Sequence, residues 1–432
     1  MLLGDPEADP DDPRFCWLSG RRPSAAAPEG HEILAKFGVT GAESLHLSKS
    51  DALDFLIRGR WDGVVVEAPY QKLAMEVCGH LSQAARTTGL VNLLLREGDG
   101  TVTGDFTLAT GLTRLLPSLG VPLEECRALF LTGPLGDPLS EGLARLLLKL
   151  GVVSADLVKI GNPLTEERIE ALPAAQRANL LINATEFGHA PDFEGMPIET
   201  PGCLSAFPKL VAVLDLIDNP IRTRLVWCAQ THGLQARSAL GLRVIEAREA
   251  TELFTGRTLP FSATRTILGD IRRDAANIVL IGMPGCGKTT IGKVVAGRLM
   301  REFVDIDALV EARVGKPSQR IYREDGEAYF RSHESAVIES LAGRHGLVIS
   351  TGGGACLMPR NRMLLALNGT FLWLQRPLSK LSTYKRPIPQ QRGVEVLYEE
   401  RAPIYRELAE RIITVRTIEE TVSEIIGEEE MV

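Results

Sequence analysis

The chain has little that would commit it to a membrane, a secreted scaffold or a nucleic acid. No apolar run approaches the roughly 20 residues that a bilayer-spanning helix requires, so a membrane partner is not expected. Basic residues are not in excess: 48 Lys and Arg stand against 55 Asp and Glu, for a net charge of -7. A phosphate-backbone binder needs a basic face, so nucleic acid is excluded as the default partner, though a local basic pocket for a small anion is not. Cysteines number seven, at 16, 78, 126, 203, 228, 286 and 356, with no C-x-x-C among them. An odd, scattered set provides neither a disulfide frame nor a zinc site and fits a reducing, cytoplasmic setting. The acidic, proline-rich opening of residues 1–13 lacks the pattern of a targeting peptide and reads as a lead-in.

What is there is enough apolar material for more than one core. The length of 432 residues, 44% of them apolar, exceeds the roughly 250–300 at which single cores stop growing. Short apolar runs alternate with helical patterns. Val64–Val66, Ala128–Leu131, Leu180–Ile182 and Val211–Leu214 read as buried strands, and Ser140–Leu150 reads as a helix. The alternation predicts α/β architecture with mostly parallel sheets. It is interrupted over 257–276, which carries Pro260, Gly269 and Arg272-Arg273-Asp274. This segment reads as a linker with room for a short helix. The alternation restarts at Asn277.

The strongest motif follows at once. The apolar strand Ile278–Ile281 runs into Gly282-Met283-Pro284-Gly285-Cys286-Gly287-Lys288-Thr289-Thr290, and a helical pattern spans Ile291–Leu299. This is G-x-x-x-x-G-K-T in its strand-then-helix context. Glycines let backbone N–H groups approach phosphates, and the helix N-terminus adds a positive dipole end. Gly285, Cys286, Gly287, Lys288, Thr289 and Thr290 are therefore the expected ATP-binding residues. Lys288 is the point charge for the outer phosphates, and Thr289 offers a hydroxyl to Mg²⁺. Cys286 fills a variable position as a small residue.

Further motifs bear on the acceptor. Phe303-Val304-Asp305-Ile306-Asp307 puts two carboxylates at a strand end, which in an open α/β sheet faces the ligand crevice. If the strand is extended there, the i, i+2 spacing points both the same way. One could order Mg²⁺ and its waters, and the other could accept a proton from a substrate hydroxyl. The plainer reading makes Asp305 a helix N-cap. Arg331 and Glu334 share a helical face within Tyr329-Phe330-Arg331-Ser332-His333-Glu334, as a surface ion pair or as part of a packed surface. Leu347–Ser350 then leads into Thr351-Gly352-Gly353-Gly354-Ala355, whose glycines permit close backbone approach to a ligand.

Together with Arg401-Ala402-Pro403-Ile404-Tyr405, these motifs resemble the shikimate kinase family over nearly all of Asn277–Glu424. The resemblance implies transfer of the γ-phosphoryl group of ATP to the 3-hydroxyl of shikimate, with Mg²⁺ held through Thr289 and, through water, Asp305. It makes Asp307 the ring-hydroxyl ligand and candidate base. Arg331 and Arg401 become the carboxylate clamp, and Gly353 a backbone contact. Arg386, before Pro387, becomes a lid residue over ATP and, with Lys288 and Asp307, part of the catalytic set. Shikimate and ATP are the implied partners; oligomeric state is left open.

Residues 14–256 resemble shikimate dehydrogenase in order. The carriers are Gly63–Gln71, Gly89-Leu90-Val91-Asn92, Gly104–Leu108, Leu181–Thr185, Asp215–Thr223 and Thr251–Gly256. The resemblance implies a substrate-type lobe from about 14–110 with 235–256, a Rossmann-like lobe over 111–234, and a kinase domain over 277–432. The departures fall on the chemistry. Gln71 stands at the family's catalytic lysine, Leu108 at its aspartate, and Ala25 and Ala27 at two substrate-binding serines. The cofactor turn becomes Gly133-Pro134-Leu135-Gly136-Asp137-Pro138, and no basic residue follows near Ile160–Pro163. Neither Gln71 nor Leu108 can move a proton, so this region is expected to be an inactive scaffold without NADP. His31 reads as structural. The rival expectations are a bifunctional dehydrogenase–kinase, another small-molecule phosphate-loop kinase, and an ATP-binding regulator.

Overall fold

The computed structural model describes residues 14–19, 29–381 and 393–427. Its strands form three sheets, all within mixed α/β layers. The first contains β1 (Phe15–Ser19), β2 (Glu43–His46), β3 (Gly63–Val66), β4 (His80–Leu81), β5 (Leu93–Arg96) and β6 (Val102–Asp105), in the order β2-β1-β3-β5-β6-β4. It is mixed: β1 runs parallel to both its neighbours, whereas β5 is antiparallel to β3 and β6.

The second contains β7 (Arg127–Thr132), β8 (Ser154–Lys159), β9 (Leu180–Ala184), β10 (Ala212–Asp215) and β11 (Gln235–Ser238), ordered β11-β10-β9-β7-β8. All its pairings are parallel. The strand order reverses between β7 and β9, which in this architecture marks the ligand crevice. The sequence reading gave 235–238 to the first lobe. In the structure this strand is the edge of the second sheet, because it pairs with β10 from Ala212↔Gln235 to Asp215↔Ser238.

The third contains β12 (Asn277–Ile281), β13 (Phe303–Asp305), β14 (Val348–Ser350), β15 (Gly369–Gln375) and β16 (Arg411–Thr414), ordered β13-β14-β12-β15-β16 and wholly parallel. β12 is central and every one of its residues is buried. A strand covered on both faces reads as a continuous apolar run, which is why Ile278–Ile281 was legible in the sequence.

The expected linker is largely a helix, Phe261–Ala275. Its buried face is Thr264, Ile267 and Ile271, of which the two isoleucines pack with Trp17, Ile33, Val65 and Val244 in the core beneath the first sheet. Helix Leu240–Thr255 belongs to the same core through Leu240, Val244, Ala247 and Ala250. No helix among the described residues is long and apolar enough to cross a membrane.

Candidate active site

The phosphate loop joins β12 to helix Lys288–Leu299. Gly282, Gly285 and Gly287 hold φ of 140°, 86° and 110°, a region that L side chains avoid. At Gly282 a Cβ would also come 2.6 Å from the Leu374 carbonyl oxygen. The curled loop draws in Lys288, whose Nζ donates to the carbonyls of Gly282 at 2.8 Å and Met283 at 3.1 Å. Cys286 is fully buried in the core under the loop, as a small filler should be.

β13 ends at Asp305, and helix Ile306–Val314 starts with the next residue. The two aspartates therefore do not share an extended strand, and the i, i+2 argument fails. Asp305 is the N-cap, accepting from Ala308 N at 3.3 Å, while its other oxygen accepts from Thr289 Oγ1 at 2.8 Å. Capping and contact with the loop threonine coexist in one carboxylate. Thr289 also lies 3.4 Å from Ser350 Oγ. These hard oxygen donors suit Mg²⁺, which takes one or two protein oxygens and completes its shell with phosphate and water. Asp307, in the first helical turn, reaches the glycine run instead: a Cβ on Gly352 would meet its Oδ1 at 2.5 Å and Glu334 Oε1 at 2.8 Å.

Helix Glu327–Leu341 supplies Arg331 and Glu334. Their bond, Nη1 to Oε2 at 2.9 Å, is not a surface pair, because Glu334 is fully buried. Burial pushes the Glu334 carboxyl up to about 7, against the lowering pull of Arg331. Its Oε1 has no hydrogen-bond partner among the described residues. Helix Val394–Leu408 supplies Arg401, only 2% exposed, whose Nε meets no partner among the described residues. Its guanidinium lies against Gly353, where a Cβ would be 2.7 Å from Pro284 Cγ and 3.0 Å from Arg401 Nη1. Gly354 packs as tightly on Arg331. Each glycine of the run is thus pressed by a different functional side chain.

Two contributors were not among the expected site residues. Tyr405 donates to the Gly353 carbonyl at 2.5 Å and to the Gly282 carbonyl at 3.2 Å, tying the glycine run to the phosphate loop. Its position four residues after Arg401, on the same helical face, was the available signal. Glu334 stood three residues after Arg331 with the same kind of signal. Arg386 falls in 382–392, outside the described residues.

In the N-terminal region Gln71 is buried, its Nε2 donating to the Val66 carbonyl at 3.3 Å, while Lys72 is exposed. Leu108 begins helix Leu108–Ser118 and is buried. Ala25 and Ala27 lie outside the described residues. Arg243 spans the gap between the first two sheets, bonding Asp218 at 2.9 Å and Glu67 at 3.1 Å. Glu67 also accepts from Trp17 Nε1 at 2.8 Å and Ser19 Oγ at 2.6 Å. Asp137 caps helix Pro138–Lys149, accepting from Leu139 N at 3.1 Å and Ser140 N at 2.8 Å. Lys159, at the end of β8, brings its Nζ within 3.1 Å of where a Gly136 Cβ would stand, a cation the sequence reading did not count. His31 Nδ1 is 2.8 Å from Ser44 Oγ, a local contact that fits a structural role.

A five-stranded parallel sheet with a lysine-bearing phosphate loop, facing a pocket of buried arginines and carboxylates, defines an ATP-dependent phosphate-loop kinase. The family model for shikimate kinase matches residues 284–429. The shikimate kinase of Halorhodospira halophila is 41% identical over 150 residues, covering 33% of this chain and 85% of that protein. The chain belongs to the shikimate kinase family. Among solved structures, it is similar to shikimate kinase from Acinetobacter baumannii in complex with shikimate, at 31% identity and a TM-score of 0.34, covering 37% of this chain and 98% of that one. A chorismate mutase/shikimate 5-dehydrogenase fusion protein from Clostridium acetobutylicum aligns with 60% of this chain and 96% of its own, at 17% identity and a TM-score of 0.48.

Proposed function

We propose that the shikimate kinase reaction of this chain is carried by Lys288, Asp307, Arg331 and Arg401, in the kinase domain 277–432. The observation that supports this is the convergence on the glycine run: Asp307 and Glu334 at Gly352, Arg401 and Pro284 at Gly353, Arg331 at Gly354. Arg331 and Arg401 clamp the shikimate carboxylate, since paired guanidinium groups match a planar oxyanion better than lysines would. That orients the ring with its 3-hydroxyl toward Asp307 and the loop. The hydroxyl oxygen attacks the γ-phosphorus, its proton passes to Asp307, and the β–γ bridging bond breaks to release ADP. Lys288 and the loop amides stabilise charge on the transferring group. Thr289 and Asp305 would hold Mg²⁺, which supplies further neutralisation of phosphate charge when bound.

Asp307→Asn tests the assignment. A general base contributes about 10²–10⁴-fold, so kcat should fall by that order while the KM for ATP stays nearly constant. A near-normal kcat in a coupled ADP-release assay with shikimate would sink the role.

The region 14–256 is read as a dehydrogenase-like scaffold that does not bind NADP or transfer hydride. Three observations support it: the buried, non-titrating Gln71, the Asp137 carboxylate seated on the helix N-terminus where a pyrophosphate would sit, and the Arg243 strap joining Glu67 to Asp218. Full-length protein given NADPH and 3-dehydroshikimate should show no enzymatic loss of absorbance at the nicotinamide band. Steady oxidation would establish the bifunctional alternative.

A further inference from the structure

Between the second sheet and the kinase sheet lies a cavity of about 430 Å³ that phosphoryl transfer does not use. It borders β11, helix Phe261–Ala275, the start of β12 and the turn 366–370. It therefore sits at the opposite end of β12 from the phosphate loop. Its volume falls within the roughly 300–1,000 Å³ of small-molecule sites.

The charge of its lining is one-sided. Arg222, Arg237, Arg272, Arg273 and Arg411 face a single carboxylate, Glu410. Three of these arginines have partners. Arg222 donates to the carbonyls of Ala366 and Gly369 and stands 3.9 Å from Glu410. Arg273 is paired with Asp270, and Arg411 donates to the carbonyls of Ile425 and Glu424. The other two are different. Among the described residues Arg237 donates only to the carbonyl of its neighbour Ala236, at 2.8 Å. No acceptor among the described residues meets the Arg272 guanidinium, and neither residue has a carboxylate partner among them. Burial, then the charges of Arg237 and Arg222, lower the pKa of Arg272.

Gathering like charges around one cavity costs free energy, and neither Arg237 nor Arg272 has a carboxylate among the described residues to offset it. Guanidinium groups are weakly hydrated and present forked donors, the chemistry that recognises carboxylate and phosphate. We propose that this cavity, lined by the N-terminal region and the kinase together, binds a small, multiply charged anion bearing phosphate or carboxylate groups, held by Arg237 and Arg272.

The test is calorimetric titration of the full chain with inorganic pyrophosphate, and separately with citrate, without Mg²⁺. Lys288→Ala is used throughout, so that the phosphate loop does not compete. Saturable binding of either probe is expected, with affinity lowered at least tenfold in both Arg237→Gln and Arg272→Gln; which probe binds assigns phosphate or carboxylate as the preferred group. Should Arg272→Gln fail to fold, Arg237→Gln, on an edge strand, carries the comparison alone. Absence of saturable heat with both probes, or affinity unchanged by the substitutions, overturns the site.

Discussion

Gly353 concentrates the geometry of the kinase site in one residue. Its flanks are occupied by Pro284 of the phosphate loop and by Arg401, and Tyr405 holds its carbonyl. Gly353→Ala would force the loop ring or the guanidinium aside by several tenths of an ångström. Displacements of this size at a site that works by positioning are expensive. The expected result is a fall of at least about tenfold in kcat/KM for shikimate, with circular dichroism and unfolding midpoint close to those of the parent. Wild-type kinetics would show that the clamp tolerates a wider gap. The need for glycine here was legible, because three in succession after an apolar strand have few other uses. The burial of Glu334 was not: the i, i+3 spacing that pairs it with Arg331 is the same in a solvated ion pair, and only tertiary packing separates the two cases.

At the scale of elements, the clearest case is the turn that follows β10. Asp215 is fully buried at the strand end and accepts from Asn183 Nδ2 at 3.0 Å, Ile217 N at 3.2 Å and Thr223 Oγ1 at 2.6 Å. Thr223 in turn caps helix Arg224–Thr231 by accepting from Val226 N at 3.2 Å. Burial outweighs these three donors and pushes the carboxyl up to about 7. The folded chain therefore keeps a proton that the unfolded chain releases near its ordinary value of 3.8. The stability this provides is full below about pH 4 and is lost as pH rises toward 7. Asp215→Asn removes the titration, so its unfolding midpoint should fall less than wild type's between pH 5 and pH 8. Parallel profiles would mean that the carboxyl is ionised throughout. Buried strands such as Val64–Val66 were plain from their apolar runs. The segment 257–276 reads as a linker with room for a short helix, and the helix fills most of it, because Thr264, Ile267 and Ile271 recur on one buried face after Pro260. For Asp305 and Asp307 the sequence leaves an extended strand and a helix N-cap both open, and the structure takes the second, with Asp305 accepting from Ala308 N as the helix begins.

At the scale of the whole molecule, the question is what couples the N-terminal region to the kinase. Glu194 meets Arg360, but both side chains are more than a third exposed, at 37% and 38%. Such pairs contribute roughly 0–1 kcal/mol. Arg222 is different. Its backbone N–H donates to the Leu367 carbonyl at 3.0 Å, and its guanidinium reaches the Ala366 carbonyl at 2.7 Å and the Gly369 carbonyl at 3.2 Å. The neighbouring Ile221 N–H donates to Asn368 Oδ1 at 2.8 Å. One residue thus closes the turn that leads into β15 from outside the kinase sheet. Phe193 packs beside Gly343, where a Cβ would come 2.7 Å from its ring, and continues the kinase core outward. Arg222→Ala would leave main-chain carbonyls without their charged donor, a loss of about 1.5–3 kcal/mol per bond at most. With a shift of roughly 2–4 °C per kcal/mol for a unit of this size, the kinase transition should drop by several degrees in scanning calorimetry. It should also separate from that of the N-terminal region. Arg360→Ala should leave stability within about 1 kcal/mol of wild type, with no new separation of transitions. A single undisplaced transition in Arg222→Ala would show that apolar contact at Phe193, not the arginine, holds the two regions together.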